Sequence, residues 1–526
     1  MRKFLNILDQ APMFWVAISL GFFVFGVNRV LPGIEWHAAT SEQSVLDHSF
    51  MHSLLTQQWQ YTAIPEIPQT FGAHVLPQYL TAALSLVTGD TVRAGMWLSL
   101  VGITLTLCGL YPLAQRILPL RGFSVITLAT AGALGAMQFS YSPDPSAALG
   151  MACVVWGMVF FLTSLTKHKP HDVFMSGFLF GLAGYIRIEL SMMWVFLALY
   201  LICLALFQPK KYKHGMSYVS MAIGGLVMVL LVLWPLLHRN LQLSGSPILP
   251  GFDSEMVLGA PSLSGQAPPT AFIARIFQGV SLLLFSHRGP GIFAGLLWPL
   301  GILICLFMGR HKQIPYFWLP VVLGMLVCLS ALSYVTGLQS FRECLLILTP
   351  LLFPFAVLPV AYAIHTWMQS DYHNENKCRQ LWMLCGLGLF VLIQFPHFFR
   401  KGTAGNVEQE SKRTVLISEF GTIAPHIADR MLLSDMPGSF LTAGKSNVIG
   451  VHGETDWQIL GAKYANGDFE PEKLLAYMQE REVGMIHLSQ VDDPLIDLLT
   501  ASEGAPQFTP INRFSPPHRV FRVDWL

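Results

Sequence analysis

The sequence predicts an all-α polytopic membrane body over residues 1–397 and a small α/β domain over 398–526. Three observations lead there. Of the 526 residues 53% are hydrophobic and only 12% charged, with a mean hydropathy of +0.51, whereas a soluble chain is charged at about a quarter of its positions. Apolar stretches without any charge, such as 222–237, 291–308 and 381–393, approach the ~20 residues that cross a ~30 Å hydrocarbon layer as a helix. After Pro396 the composition turns polar and mixed, which marks a boundary near 398–405.

Helix is the element the membrane imposes, because backbone groups in lipid must be satisfied within their own segment. Short basic clusters punctuate the apolar runs: Arg2 and Lys3, Arg116 and Arg121, Lys167 and Lys169, 210–213, Arg310 and Lys312, Lys377 and Arg379. Assigning them to the cytoplasm gives about eleven transmembrane helices, at 12–30, 94–113, 123–141, 147–165, 173–186, 190–207, 218–237, 291–308, 316–336, 344–365 and 380–396. An odd number of spans places the N-terminus inside and the C-terminal domain outside. The first span follows Arg2 and Lys3 with no small-residue cleavage site after it, so it reads as a retained helix and not a removed signal.

Two outer loops are long. The first, 31–92, holds no Lys or Arg but contains Glu35, Glu42, Asp47, Glu66, Asp90 and four histidines. Its apolar stretch 74–87 is short and contains Pro77, which suits a helix lying along or dipping into the membrane surface. The second loop, 238–290, is rich in Gly, Ser and Pro and ends in Ser286-His287-Arg288-Gly289. In the tail, 471–482 reads as a helix opened by Pro471, with Leu474, Leu475 and Met478 on one face and Gly484 as its stop. Strand-like runs flank it at 447–451, 485–488 and 519–523.

Several function classes are disfavoured. A formal net charge of +1 offers no basic surface for neutralising a run of phosphates, so nucleic acid is not an expected partner. The eight cysteines fall in apolar spans or inner loops and imply no disulfide framework or zinc site. No internal repeat is evident, which removes the usual sign of a repeat-built transporter.

Ionisable residues near membrane depth are costly and therefore functional candidates. Asp47 opens a run with Phe50, Leu54 and Leu55 at helical spacing; it reads either as the cap of an amphipathic surface helix or as a catalytic base. His48 and His52 stand four apart, but the Glu of a zinc-protease HExxH is absent, so no metal ligand is assigned. Asp144, between Pro143 and Pro145 at the outer mouth of the third and fourth spans, is either a turn residue or a second carboxylate for binding, base or metal work. Arg187, Arg239, Arg288 and Arg342 form an outer set of cations, with His287 beside Arg288 and acids beside two of them, Glu189 and Glu343. They serve either structural ion pairs or recognition of a phosphate group.

The arrangement resembles the C-type (GT-C) glycosyltransferase superfamily, particularly bacterial relatives of protein O-mannosyltransferases and aminoarabinose transferases. The resemblance runs through the acidic first loop with Asp47, the patch Val75-Leu76-Pro77-Gln78-Tyr79, Leu110-Tyr111-Pro112-Leu113-Ala114-Gln115-Arg116 and Gly181-Leu182-Ala183-Gly184-Tyr185-Ile186-Arg187. It continues through Gly245-Ser246-Pro247, Phe285-Ser286-His287-Arg288-Gly289-Pro290-Gly291 and Ser340-Phe341-Arg342. The chain departs from many relatives in having His48 where a second acid follows the first, and in reducing an acidic DxD-like motif to the lone Asp144.

The resemblance implies an inverting glycosyltransferase of the bacterial inner membrane. It would take a sugar from a polyprenyl-phosphate donor to a glycan, lipid or protein acceptor at the outer face. Asp47 and Asp144 would be catalytic, and Arg288, Arg342, Arg239, Arg187 and His287 would hold the donor phosphate, with a divalent metal left open. The rival readings are a transporter or flippase of lipid-linked sugars and an inactive GT-C-like scaffold subunit.

Overall fold

The computed structural model describes residues 75–88, 91–117, 145–167, 169–207, 217–244, 300–303, 347–352, 354–355, 358–359, 430–434, 448–450, 471–480, 482–488, 495–502, 504–511 and 519–525. Within the membrane body these form α1 (Val75–Thr88), α2 (Thr91–Ile117), α3 (Pro145–Lys167), α4 (Pro170–Gly184), α5 (Ile188–Ser191), α6 (Met193–Phe207) and α7 (Tyr218–Ser244). Among the described residues, four stretches are long and apolar enough to cross a membrane: Trp97–Ile117, Ser146–Leu165, Ile188–Leu206 and Tyr218–His238. Of the other expected spans, 173–186 is described and is treated below, 291–308 and 344–365 are described only in part, and 12–30, 123–141, 316–336 and 380–396 lie outside the described residues.

Small residues set how these helices meet. A Cβ on Gly102 would approach the backbone of Ala148 to 2.6 Å, and one on Gly109 would lie 2.7 Å from Val155. At the far end Arg116 donates from Nε to Thr163 Oγ1 at 2.6 Å. Contacts that advance together from 102, 109 and 116 to 148, 155 and 163 make α2 and α3 parallel neighbours, with backbones brought close at glycine as membrane helices favour. α4 runs against α3, since Ser176 Oγ donates to Gly157 O at 2.7 Å and Phe180 packs over Gly157. α4 and α7 are parallel, with Gly177 against Gly225, Gly181 against Val232 and Gly184 against Leu233.

Trp194, the second residue of α6, fills the centre of this body. It is fully buried, meets Phe161 edge-on at 5.6 Å between ring centroids and lies 6.1 Å from Phe180. The outward faces are apolar instead: Ile223, Val227, Leu230, Leu231 and Trp234 of α7 are all exposed, as side chains turned to lipid tails would be. α1 follows the same inverted logic, burying Pro77, Thr81 and Ser85 and exposing Tyr79, Leu80, Leu86 and Val87.

Beyond residue 430 the described chain forms a five-stranded sheet, β1 (Met431–Ser434), β2 (Val448–Gly450), β3 (Val483–Leu488), β4 (Gln507–Pro510) and β5 (Arg519–Asp524), in the order β2-β1-β3-β5-β4. β1 pairs in parallel with β2 and β3, and β5 pairs antiparallel with β3 and β4. Helix α8 (Pro471–Glu480) packs Leu474, Leu475 and Met478 into a core with Leu433, Ile486 and Phe521, the face its periodicity predicts. Helix α9 (Leu495–Thr500) follows β3.

Two expectations are corrected. The stop of α8 is not Gly484: the left-handed residue is Glu482, with φ 52°, and Gly484 lies inside β3, where a Cβ would press on the Arg430 side chain at 2.9 Å. The span expected at 173–186 is also not a full crossing. α4 has 15 residues, about 22 Å at 1.5 Å per residue, and ends short of a ~30 Å hydrocarbon layer.

Candidate functional site

The early end of α4 places a break inside the body. From Tyr185 to Met192 the chain turns, makes the single helical turn α5 and re-enters as α6. Neighbours hold it from several sides. The Leu76 amide donates to Tyr185 O at 3.2 Å, Tyr185 Oη donates to Val232 O at 2.9 Å, and the Arg187 amide donates to Ala183 O at 2.9 Å. Ser191 Oγ closes the turn on Ile188 O at 2.6 Å.

These contacts fix its depth. Tyr185 is level with Val232, six residues before the end of the apolar run of α7 at His238, or about 9 Å along the helix axis. The break therefore lies below the mouth of the body, where irregular backbone is tolerated only against protein or a polar cavity. It carries two side chains that are charged at neutral pH in water: Arg187 is half-buried in extended conformation (φ −148°, ψ 120°), and Glu189 is buried at 6% exposure.

Helix directions gather several of the expected residues at this end. α3 begins there with Pro145, the residue after Asp144, and α7 arrives there with His238 followed by Arg239. The exposed Trp234 ring stacks on His238, with centroids 6.1 Å apart and planes within 9°. Arg187 and the backbone of Arg239 are thus brought to one end of the bundle, at which α3 also begins. Asp47, Asp144, His287, Arg288 and Arg342 themselves lie outside the described residues, as does the Arg239 side chain. Among the described residues no three His, Cys, Asp or Glu side chains group closely enough to hold a metal ion.

The opposite end holds a polar cluster that sequence reasoning does not single out. Thr163 Oγ1 receives the Arg116 Nε–H and donates to Val159 O at 2.6 Å. Asp172, at the start of α4 with 5% of its side chain exposed, meets His171 Nε2 at 3.0 Å through Oδ1 and feels the charge of Arg116. In the sheet, Ser434 Oγ lies 2.9 Å from His487 Nδ1, with both side chains fully buried. Glu189, which the sequence offers only as an acid beside Arg187, is the third buried polar group of this kind. None of the three carries a local signal, because burial arises from packing between segments distant in sequence.

Comparison with known proteins agrees with this architecture. Residues 74–234 match the family model described as dolichyl-phosphate-mannose-protein mannosyltransferase, a stretch that runs from the start of α1 to Trp234 and contains the whole break. No curated protein matches the chain. Among solved structures it is similar to ArnT from Cupriavidus metallidurans bound to undecaprenyl phosphate, with a TM-score of 0.53 at 10% identity, covering 97% of each chain. The apo state of the same protein matches with a TM-score of 0.52 at 12% identity, again over 97% of each chain. The expected resemblance to the GT-C superfamily is borne out, and the chain has the fold of a multi-pass GT-C membrane protein.

Proposed function

We propose that this GT-C fold transfers a sugar from a polyprenyl-phosphate donor to an acceptor at the outer face of the bacterial inner membrane, with inversion at the anomeric carbon. The observation that carries the reading is fold similarity over 97% of both chains to a protein whose structure contains undecaprenyl phosphate. The mannosyltransferase family match over 74–234 adds to it. In this reading the N-terminus is cytoplasmic, the C-terminal domain is extracytoplasmic, and the Arg187 end of the bundle faces outward.

The chemistry balances with side chains alone. An acceptor oxygen or nitrogen attacks the anomeric carbon from the face opposite the phosphate, and the acceptor's proton passes to the Asp47 carboxylate. The bond from the anomeric carbon to the phosphate oxygen breaks with its electron pair on that oxygen. Arg288, Arg342, Arg239 and Arg187, with His287 as a further donor, stabilise the charge on the departing polyprenyl phosphate. Asp144 orients the acceptor beside Asp47. The membrane body contributes proximity, holding a lipid-soluble donor where a water-soluble acceptor can reach it.

The test is to incubate the purified full-length protein, in detergent and in vesicles, with polyprenyl-phosphate sugars radiolabelled in the sugar. Label transferred to an acceptor from cell-envelope extract supports the enzyme. Movement of labelled donor between leaflets without transfer would instead identify a flippase, and binding with neither outcome an inactive scaffold.

A further inference from the structure

Two consecutive rungs of the α7 hydrogen-bond ladder are altered just below its outer end. Pro235 lies inside the helix and, having no amide, cannot donate to the Leu231 carbonyl as another residue would there. The next carbonyl, Val232 O, accepts the Tyr185 hydroxyl at 2.9 Å. That hydroxyl also interacts with the Leu236 backbone, whose amide is the regular helical partner of Val232 O. A proline and a side chain set into the ladder are each a cause of bending in a helix, and here they fall on adjoining rungs.

Packing thins at the same level. α4 accompanies α7 as far as Leu233, which lies against Gly184, and ends there. Beyond it Trp234, Pro235, His238 and Leu241 are exposed, while Leu236 is buried. The outer segment of α7 is therefore a short arm on a weakened joint, with the Tyr185 hydroxyl as a polar tie across that joint. Tyr185 also belongs to the break: its carbonyl takes the Leu76 amide of α1, and Arg187 follows two residues later. One residue thus joins the start of α1, the break and the arm that carries His238 and Arg239.

Resting on the reading of the chain as a polyprenyl-phosphate sugar transferase, we propose that Tyr185 is a positioning residue for the donor phosphate. Its hydroxyl latches the outer arm of α7 at the Pro235 joint and so fixes the span between the backbones that carry Arg187 and Arg239. A phosphate shared by two guanidinium groups needs that span held constant, and an arm left loose would have to be ordered at the expense of binding.

The experiment reads the joint and the binding separately in full-length protein in nanodiscs. Nitroxides on p-acetylphenylalanine at Val219 and Leu241, both exposed on α7, bracket Pro235 and stand about 33 Å apart along a straight helix. Pulsed electron resonance should give one narrow distance in wild type and a broadened or second population in Tyr185→Phe, which removes only the hydroxyl. Undecaprenyl phosphate binding should weaken by about three- to tenfold in Tyr185→Phe. With Arg239→Ala already in place the same change should cost less than about twofold, because the latch acts through that arm. Adding Pro235→Ala, which restores the missing amide, should return both the narrow distance and the binding of Tyr185→Phe, a rescue that a general loss of stability would not show. A wild-type distance distribution in Tyr185→Phe overturns the latch, as does failure of Pro235→Ala to restore it. Unchanged binding in Tyr185→Phe, or an equal loss in the Arg239→Ala background, overturns the positioning role. Wild type that binds no undecaprenyl phosphate removes the donor reading and this role with it, while the distances still decide the latch.

Discussion

Gly225→Ala should be among the most damaging single-methyl changes in the membrane body. A Cβ at this position would lie 1.7 Å from Trp194 Cζ2 and 2.1 Å from Cε2, whereas carbon atoms settle at about 3.5–4.0 Å, so the indole would have to retreat by roughly 2 Å. It has nowhere to go: Trp194 is fully buried, with Phe161 and Phe180 on its other sides. Overpacking of this kind costs about 1–3 kcal/mol, and the depth of the clash argues for the upper end. Trp194→Phe deletes the atoms that clash but opens a cavity, at about 1–2 kcal/mol by comparison with larger aromatic truncations. Because each change relieves the fault of the other, the double variant should be more stable than the sum of the singles by about 1–2 kcal/mol. Unfolding of the purified protein by SDS in mixed micelles, followed by circular dichroism, gives all four stabilities. Wild-type stability in Gly225→Ala, or strict additivity in the double variant, would refute the packing argument.

Three further outcomes are expected. Asp47→Asn preserves size and most capping capacity but cannot take the acceptor's proton, so turnover should fall by on the order of 10²-fold while donor binding persists; full activity with a stability loss of about 1 kcal/mol in Asp47→Ala would identify a helix cap instead. Arg288→Ala should weaken use of the lipid-linked donor more than Arg288→Lys, which keeps the charge but loses the bidentate fork; unchanged donor affinity and turnover in a folded Arg288→Ala removes that assignment. Ser434→Ala takes one hydrogen bond from the buried His487 ring, so amide exchange in β1 and β3 of the full chain should accelerate by the equivalent of about 1–2 kcal/mol, and unaltered protection would show the bond to be dispensable.

What the sequence made legible was long-range composition, and what it hid was local interruption. The apolar runs that become α3 and α7 stand out because nothing charged breaks them over the width of a bilayer, and the face of α8 follows from the spacing of Leu474, Leu475 and Met478. In the sequence α4 reads as a full span because Val173 to Ile186 carries no charge. Its end at Gly184 is decided by tertiary contacts with α7 and the start of α1, which no window of neighbouring residues contains. Glu189 correspondingly reads in the sequence only as an acid beside Arg187, because its burial arises from packing between distant segments. β1 was missed because Met431-Leu432-Leu433-Ser434 is short and has no alternation, being a parallel strand covered on both faces. For the site, the sequence assigns Arg187 and Arg239 to one face of the membrane and the described helices bring both to one end of the bundle, whereas the depth of the Arg187 break depends on contacts between distant segments.

The glycine seams carry a consequence for how related sequences can diverge. At Gly102 the atoms a methyl group would meet are the backbone C and O of Ala148 and N of Leu149, and no substitution on the opposing helix can move them aside. At Gly225 the obstruction is a side chain, Trp194, and at Gly157 it is Phe180, so there an exchange on one helix can be answered by an exchange on the other. Homologues that keep the parallel α2–α3 pair should therefore hold residue 102 constant irrespective of its neighbours. Positions 225 and 194 should covary as a pair, trading glycine with a large ring for alanine with a smaller one.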